Sequence, residues 1–549
     1  MLNNAPRTIS RLLLITALGV SITLLAACDV AVDPKDQASA NLALSEDGGY
    51  EQFLAKLYAG LNVTGQESPA GDPDITPATG DVGFSQYMRL HWTAQELSTE
   101  AAVISWNDES VQPINNHSWG PNNGFSSDMY NRIFFQVSMA NEFLRESTSD
   151  LIEERGVNPQ VADQMPQWRA EARFLRALSY WHGIDLFGDI PLVTEEFARG
   201  AEPPQQATRA ELFDFVEQEL LAITGETGEA NEVLAPIGEA EYGRADQGAA
   251  YMLLAKLYQN AEVYIGENRS SDVITYTERI IDSGAYSLEE EYHHLFLADN
   301  AFSPEFIFAI PHDGEFTRHF GGTTFLGNAS LGGDGPEDAS NFGLAGWFGL
   351  RVTSAVVDRY DPNDTRPVFP NTPGNQFIRE GRTKEITGIG EDNFKGNGGY
   401  VAPKYQNVRS DGEMGSDDQF SDVDYPMFRL GDVYLMYAEA AIRSGGDIGQ
   451  AVSLVNDLRE RAGLGRDITS DDLTLEFILD ERSRELLWEG HRRTDLVRFG
   501  RFTQGSTWPW KGGVPEGVET ESFRDLYPLP ASELRANPNL EQNPGYPAN

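Results

Sequence analysis

Cys28 is the only cysteine among the 549 residues, so the folded chain has to hold its shape without any internal disulfide. The burden falls on packing. A chain of this length with 40% hydrophobic and 11% aromatic residues has enough apolar side chain to bury a large core unaided.

The position of that thiol carries a second message. It closes the string LLAAC, behind Arg7, Arg11 and the apolar run Leu12 to Ala27, with the small residues Ala26 and Ala27 before the cut. This is the layout of a lipobox, and the run is short for a bilayer span. Cleavage there leaves an N-terminal cysteine open to acylation, and two or more chains anchor stably where one does not. Residues 1–27 are therefore expected as a lipoprotein signal peptide. The polar, small-residue segment 28–48, containing Pro34, is expected as a tether held to a membrane through Cys28.

Charge excludes one class of partner. With 85 acidic against 41 basic residues the formal net charge is -44, and the acids are dispersed. Nucleic acid needs a basic footprint, which this composition does not supply.

From Tyr50 onward helical spacing dominates. MYNRIFFQVSMANEFLRES (Met129 to Ser147) sets Ile133, Val137, Met139 and Phe143 on one face, and AEARFLRALSYWHGIDLFGDIPL (Ala170 to Leu192) reads as a helix stopping before Gly188 and Pro191. The segments Arg244 to Tyr264 and Ser271 to Leu288 read as a helical hairpin with small residues Ala249, Ala250 and Ala255 at close-packing positions. Pro426 to Gly445 and Ala451 to Gly463 predict another, the first burying Leu430, Val433, Tyr434, Tyr437 and Ala441. Several hairpins of similar length point to tetratricopeptide-like units. Between them, Ala301 to about Asp424 loses the period and fills with Gly, Asn, Asp, Thr and aromatics, which predicts long loops with short strands or helices. Binding surfaces concentrate in such loops.

Catalytic signatures are absent: there is no G-x-S-x-G, no P-loop and no H-E-x-x-H. Glu485, Glu489, His491 and Asp495 could be assembled into a metal site, but the paired histidine spacing is missing and neighbouring arginines compete for the carboxylates. Spacing instead predicts ion pairs on one helix face, Asp480 and Glu481 with Arg484, and Glu489 with Arg493.

Several strings together resemble the SusD/RagB family of surface lipoproteins of Bacteroidetes. They are LSTEAAVISWND (Leu97 to Asp108), HSWGPNNGFSSDMYNRIFFQVSMAN (His117 to Asn141), the Ala170 to Leu192 helix, DYPMFRLGDVYLMYAEA (Asp424 to Ala440), ERSRELLWEGHRRTDLVRFGRF (Glu481 to Phe502) and YPLPASELRANPNLEQNPGY (Tyr527 to Tyr546). The resemblance implies a mainly α fold, a scaffold of tetratricopeptide-like helical hairpins carrying a loop-rich insertion lobe. It divides the chain into a helical region 49–300, a ligand-binding lobe 301–424 and a C-terminal helical region 425–549. It also implies a SusC-like TonB-dependent transporter as partner, a glycan oligomer or a peptide as ligand, and the outer cell surface as location. Capture and delivery without catalysis, cofactor or metal would be the task.

A sugar asks for flat aromatic rings over its apolar faces and polar groups for its hydroxyls. Trp106, followed by Asn107 and Asp108, ranks first because it lies outside any helical pattern; Trp347 in AGWFGLR is second, Trp92 and Trp119 third, with Arg351 and Tyr400 as hydrogen-bonding candidates. Trp181 and Trp488 lie in helical motifs and read as structural. Trp508 and Trp510 read as an exposed loop pair or a transporter contact. Two other readings stay open at this point: a tetratricopeptide scaffold for envelope proteins that binds peptide, and a surface glycoside hydrolase, for which no pair among so many carboxylates can argue.

Overall fold

The computed structural model describes residues 40–547 apart from 47, 109, 199, 201, 228–231, 333–337 and 368–398; Cys28, the lipobox and most of the tether lie outside the described residues. Helices dominate, and the strands are short pairs. Helices Gly124–Glu146, Pro159–Phe187, Arg209–Ile223, Gln247–Gln259 and Ser270–Asp282 each pack on the next in line. The series resumes with Leu430–Ser444, which packs on 270–282, and continues with Ile448–Arg461. This is the stacked arrangement of tetratricopeptide-like hairpins, mainly α as the sequence predicts.

Local chemistry sets the helix starts. Asn123, Asn158, Asp246 and Asp447 each accept a backbone N–H of the first turn through the side chain, and Thr208 with Glu211 forms a reciprocal capping box. Each such cap is worth about 1 kcal/mol. Ala249, Ala250 and Ala255 are wholly buried, which lets neighbouring helices approach closely.

Three boundaries differ from the sequence expectation. The Ala170 helix begins eleven residues earlier, at Pro159, because Asn158 caps it and Pro159 suits the first turn; Pro166 is accommodated within it. The 244–264 segment breaks at Asn260 into two helices, and the following helix ends at Asp282. Finally, Tyr425–Arg429 is a strand, not the first turn of the 430–444 helix, and pairs antiparallel with Phe306–Ile310. All ten residues of that pair are buried, and a short run such as YPMFR, apolar up to Arg429, can serve either geometry. The pair closes the base of the irregular segment that leaves the scaffold after 282 and returns at 425.

The scaffold also buries charge. Arg429 donates through Nε to Glu489 (2.6 Å) and through Nη1 to Glu305 and Glu485 (2.7 Å each); Lys404 reaches Glu489 at 2.7 Å and Arg366 reaches Glu481 at 2.7 Å. Arg461 joins both Glu305 and Glu485. Arg484 pairs with Glu481 at 2.7 Å as the spacing predicts, whereas Asp480 turns to Arg359 at 3.2 Å. Glu489 does not meet Arg493: the helix ends at Glu485, Trp488 takes a left-handed φ of 63°, and a new helix starts at Arg492, so Arg493 bonds Asp185 at 3.0 Å instead.

Candidate functional site

A cavity of about 420 Å³ opens where the N-terminal block meets the irregular lobe, walled by Phe84, Arg89, Trp106, Asp108, Phe320 and Trp347, with Ala70, Asp81 and Gly83 completing the rim. A larger hollow of about 830 Å³ lies beside the 149–154 and 159–187 helices, but its wall carries no aromatic ring. The smaller cavity is the one with aromatic rings and charged side chains together in its wall.

Trp106 is placed by backbone pairing. Val103–Ile104 pairs antiparallel with Leu350–Arg351, Ser105 N–H extends the ladder to the Gly349 carbonyl (2.8 Å), and the indole Nε1–H donates to the Phe348 carbonyl at 2.7 Å. Gly349 lies so close under the ring that a Cβ there would come within 2.5 Å of the indole. Trp347 reaches the rim through Asn328, whose side-chain oxygen accepts Ala345 and Gly346 N–H (3.1 and 3.0 Å) and whose carbonyl accepts Trp347 N–H at 2.7 Å. Both indoles are half-buried, so each keeps part of a face toward the cavity. Phe320 stands 6.1 Å from the Trp347 ring.

Arg89 supplies the polar floor. It sits on the Tyr87–Trp92 helix, which Gln86 caps by accepting the Arg89 N–H, and its guanidinium is sandwiched between Phe84 (4.3 Å) and Phe325 (4.2 Å). Nη1 donates to the Phe320 carbonyl at 2.7 Å, tying the helix to the lobe. Burial pulls its pKa down to about 9, opposed by the charges of Asp81 and Asp108. Among the described residues no carboxylate comes within ion-pair distance of this guanidinium. Asp81 also caps the turn beneath the cavity, accepting Gly83 N–H at 2.7 Å.

The structure thus brings Trp106, Asp108 and Trp347 together across 241 positions of sequence, with Asn107 exposed beside them. The other candidates lie elsewhere. Trp92 is buried edge-on against Trp488 (5.6 Å) and Phe325 (5.5 Å) in the core. Trp119 is buried against Tyr527, its Nε1 donating to Tyr546 at 2.7 Å. Arg351 is buried, its Nη1 donating to the Leu350 carbonyl at 2.7 Å, and Tyr400 is buried in a bridge to Val352. None of the four lines the cavity. Trp508 and Trp510 are also buried, so neither forms an exposed loop pair: Trp508 packs on His117, and Trp510 clusters with Val103 and Phe348. Sequence reasoning missed Arg89, Asp81, Phe84 and Phe320. Arg89 sits in an ordinary amphipathic stretch, and only the fold aims it at the rings.

The acidic set Glu485, Glu489, His491 and Asp495 is spent on pairing: Glu485 and Glu489 hold Arg429, and Asp495 holds Arg482 at 2.8 Å. Among the described residues no three His, Cys, Asp or Glu side chains gather as a metal ion would need, and no helix is long and apolar enough to cross a membrane.

Fold and cavity together define a class: a scaffold of helical hairpins whose irregular lobe carries an aromatic-walled pocket on a buried arginine. The sequence profile described as the SusD family matches residues 379–546. The chain is 33% identical to the starch-binding protein SusD of Bacteroides thetaiotaomicron over 91% of its own length and 93% of that protein's. This protein belongs to the SusD family. It is also 27% identical to SusD-like protein P25 of Formosa agariphila over 68% of this chain and 71% of that one. Solved structures agree in fold: surface glycan-binding protein A of Bacteroides fluxus superposes with a TM-score of 0.67 at 20% identity, covering 91% of this chain and 100% of that one. The Bacteroides thetaiotaomicron protein of the same name, in complex with laminarihexaose, gives 0.66 at 21% identity, covering 90% and 99%.

Proposed function

We propose that this protein captures a glycan oligomer in the Trp106–Trp347 cavity and releases it unchanged. The observation that carries the reading is the meeting of two half-buried indoles over a buried guanidinium that no described carboxylate neutralises. Indole faces cover the C–H faces of pyranose rings, while Arg89, Asp81 and Asp108 offer donors and acceptors to hydroxyls. The relative's name, a starch-binding protein, makes an α-glucan the first ligand to test.

The remaining steps follow the family. Cys28 is the acylated anchor, the outer cell surface the location, and a SusC-like TonB-dependent transporter the recipient of the ligand. The wall of the cavity draws on both the 49–300 region and the 301–424 lobe, so their relative placement sets the width open to a sugar chain.

Calorimetric titration with maltoheptaose, other neutral and acidic oligosaccharides and mixed peptides, with product analysis of the same samples, tests this. The expected result is binding of one glycan class with no new reducing ends, lost in Trp106→Ala. Cleavage products would replace the reading by a hydrolase, and peptide binding alone by a scaffold.

A further inference from the structure

We propose that Phe302, packed at a tilt against Tyr242, is a second glycan-contacting platform apart from the Trp106 cavity: a single exposed ring held rigidly beside hydrogen-bonding groups. The proposal rests on the glycan reading above but shares no residue with the cavity that carries it.

The turn Asn300 to Ser303 is closed by Ser303 N–H to the Asn300 carbonyl at 3.1 Å, and its third residue, Phe302, has φ 64°. That position suits glycine, and a bulky side chain there is strained. The ring gains little burial in return, since Phe302 is 77% exposed. Among the described residues its aromatic neighbour is Tyr242, with centroids 4.5 Å apart and the rings tilted by 37°. A strained residue that presents an aromatic face to water points to recognition.

The presentation is rigid. Asn300 is buried, its Nδ2 donating to the carbonyls of Leu295 (2.8 Å) and Asp424 (2.9 Å), and Ser303 Oγ donates to Glu289 at 2.8 Å. Tyr242 is fixed from behind by its hydroxyl, which donates to Asp424 at 2.5 Å. Beside the two rings lies a cavity of about 270 Å³ that also takes in Glu241 and Arg244. Arg244 is held inward by Glu171 (2.6 and 2.9 Å) and bonds Glu241 through Nη1 at 3.1 Å, so the polar group offered beside the ring is the largely exposed Glu241 carboxylate. One ring flanked by such groups fits a sugar unit, whereas a stable protein interface needs a broad apolar centre that this site lacks. A polymer touching both platforms would be held by effective concentration, beyond what either site gives alone.

Migration of the full chain through native gels containing amylopectin, laminarin, xylan or pectin tests this, alongside Phe302→Gly, Phe302→Trp and Trp106→Ala. Phe302→Gly removes the ring and relieves the left-handed strain, so its melting temperature stays at or above the parent's and a loss of retention reports contact, not misfolding. The expected result is retention weakened about tenfold in Phe302→Gly and kept in Phe302→Trp, with calorimetric affinity for a short oligosaccharide of the same polymer unchanged. Unchanged retention in Phe302→Gly overturns the proposal, as does a Phe302→Trp protein as weak as the glycine variant. Loss of a co-purifying membrane protein with retention intact would assign the ring to a protein contact and overturn it too. If Trp106→Ala migrates like the parent while Phe302→Gly runs free, the cavity reading falls and the platform stands. A parent retained by no polymer overturns both.

Discussion

Two buried arginines of this protein live in opposite circumstances. Arg429 in the scaffold is ringed by Glu305, Glu485 and Glu489, and every one of those carboxylates is shared with a further cation or backbone N–H. Arg89 at the cavity lies between two phenyl rings, bonded through Nη1 to the carbonyls of Phe320 and Gly83, with no described carboxylate in ion-pair range. The first is closed. Its charge is consumed by the fold, and removing it strands partners in a low-dielectric interior. The second keeps donor capacity at a solvent-facing hollow. On the proposed reading, full pairing marks structure and incomplete pairing beside half-buried rings marks the site.

Acid attacks the buried histidines of both regions first and gives the largest expected effect. Burial holds His117 down to about 3 and His91, His293 and His312 down to about 4. Between those values and 6.5 the unfolded chain binds protons that the folded chain refuses, so stability falls as pH falls. Burial also pushes Glu96 up to about 7 and Asp424 to about 6 and raises Asp128, Asp246, Asp525 and Glu533, which opposes the trend, while His182, His319 and His491 are held well below the usual histidine range and reinforce it. Each proton by which the unfolded chain exceeds the folded one costs about 1.4 kcal/mol per pH unit. Lower still, Glu100 and Asp495 add to the loss. Burial would raise both, yet Arg492 and Arg359 hold Glu100, and Arg482 and Arg498 hold Asp495, at about 2. Their stabilising share is present above the ordinary carboxylate range and is lost as pH drops toward 2. Urea midpoints are expected to rise slightly as pH falls through 7, where Glu96 takes up its proton, and to decline steadily below pH 6.5. A maximum near pH 5 would show that the buried histidines are protonated in the folded protein.

Arg429→Met comes next. It leaves Glu305, Glu485 and Glu489 buried with too few partners, a loss of about 3–5 kcal/mol in urea unfolding. A change under 1 kcal/mol would mean that the remaining cations, Arg461, Arg366 and Lys404, close the network without it.

The same contrast explains what could be read in the sequence. Helical hairpins were legible because burial every three or four residues, as at Ile133, Val137, Ala140 and Phe143, is written locally. The Tyr425–Arg429 strand was hidden because its apolar run abuts a helix, and only the partner strand Phe306–Ile310, more than a hundred positions away, distinguishes the two geometries. Trp106 and Trp347 stood out as aromatics in aperiodic polar stretches. Trp92 and Trp119 share the residue type but are consumed by core contacts with Phe325, Trp488, Tyr527 and Tyr546. Arg89 carried no local signal, since its role depends on Phe320, 231 positions on, meeting it across the cavity.

Arg89→Met sharpens the comparison by applying the Arg429 change to the open region. Expected is a stability change of about 1 kcal/mol, since a buried charge without a paired carboxylate is removed with its carbonyl bonds. Glycan affinity should fall about tenfold or more in calorimetry, as donors to the ligand disappear. If affinity holds and stability collapses, the two arginines play one role and the contrast is false.

Gly349→Ala is the finest probe. A Cβ at 349 would lie 2.5 to 2.7 Å from the Cε2, Cζ2 and Nε1 atoms of Trp106, too near for any real contact, so the indole must shift or tilt. The shift stretches the Nε1–H bond to the Phe348 carbonyl without touching the ligand-facing polar groups. An affinity loss of about threefold to tenfold, roughly 1 kcal/mol, is expected with a melting temperature lowered by only a few degrees. Because the ring is still present, such a loss would show that the angle at which Trp106 is held, and not merely its presence, matters to the ligand. Unchanged affinity would mean that the ligand contacts the indole loosely enough to follow it, leaving Trp347 and Arg89 to fix the sugar.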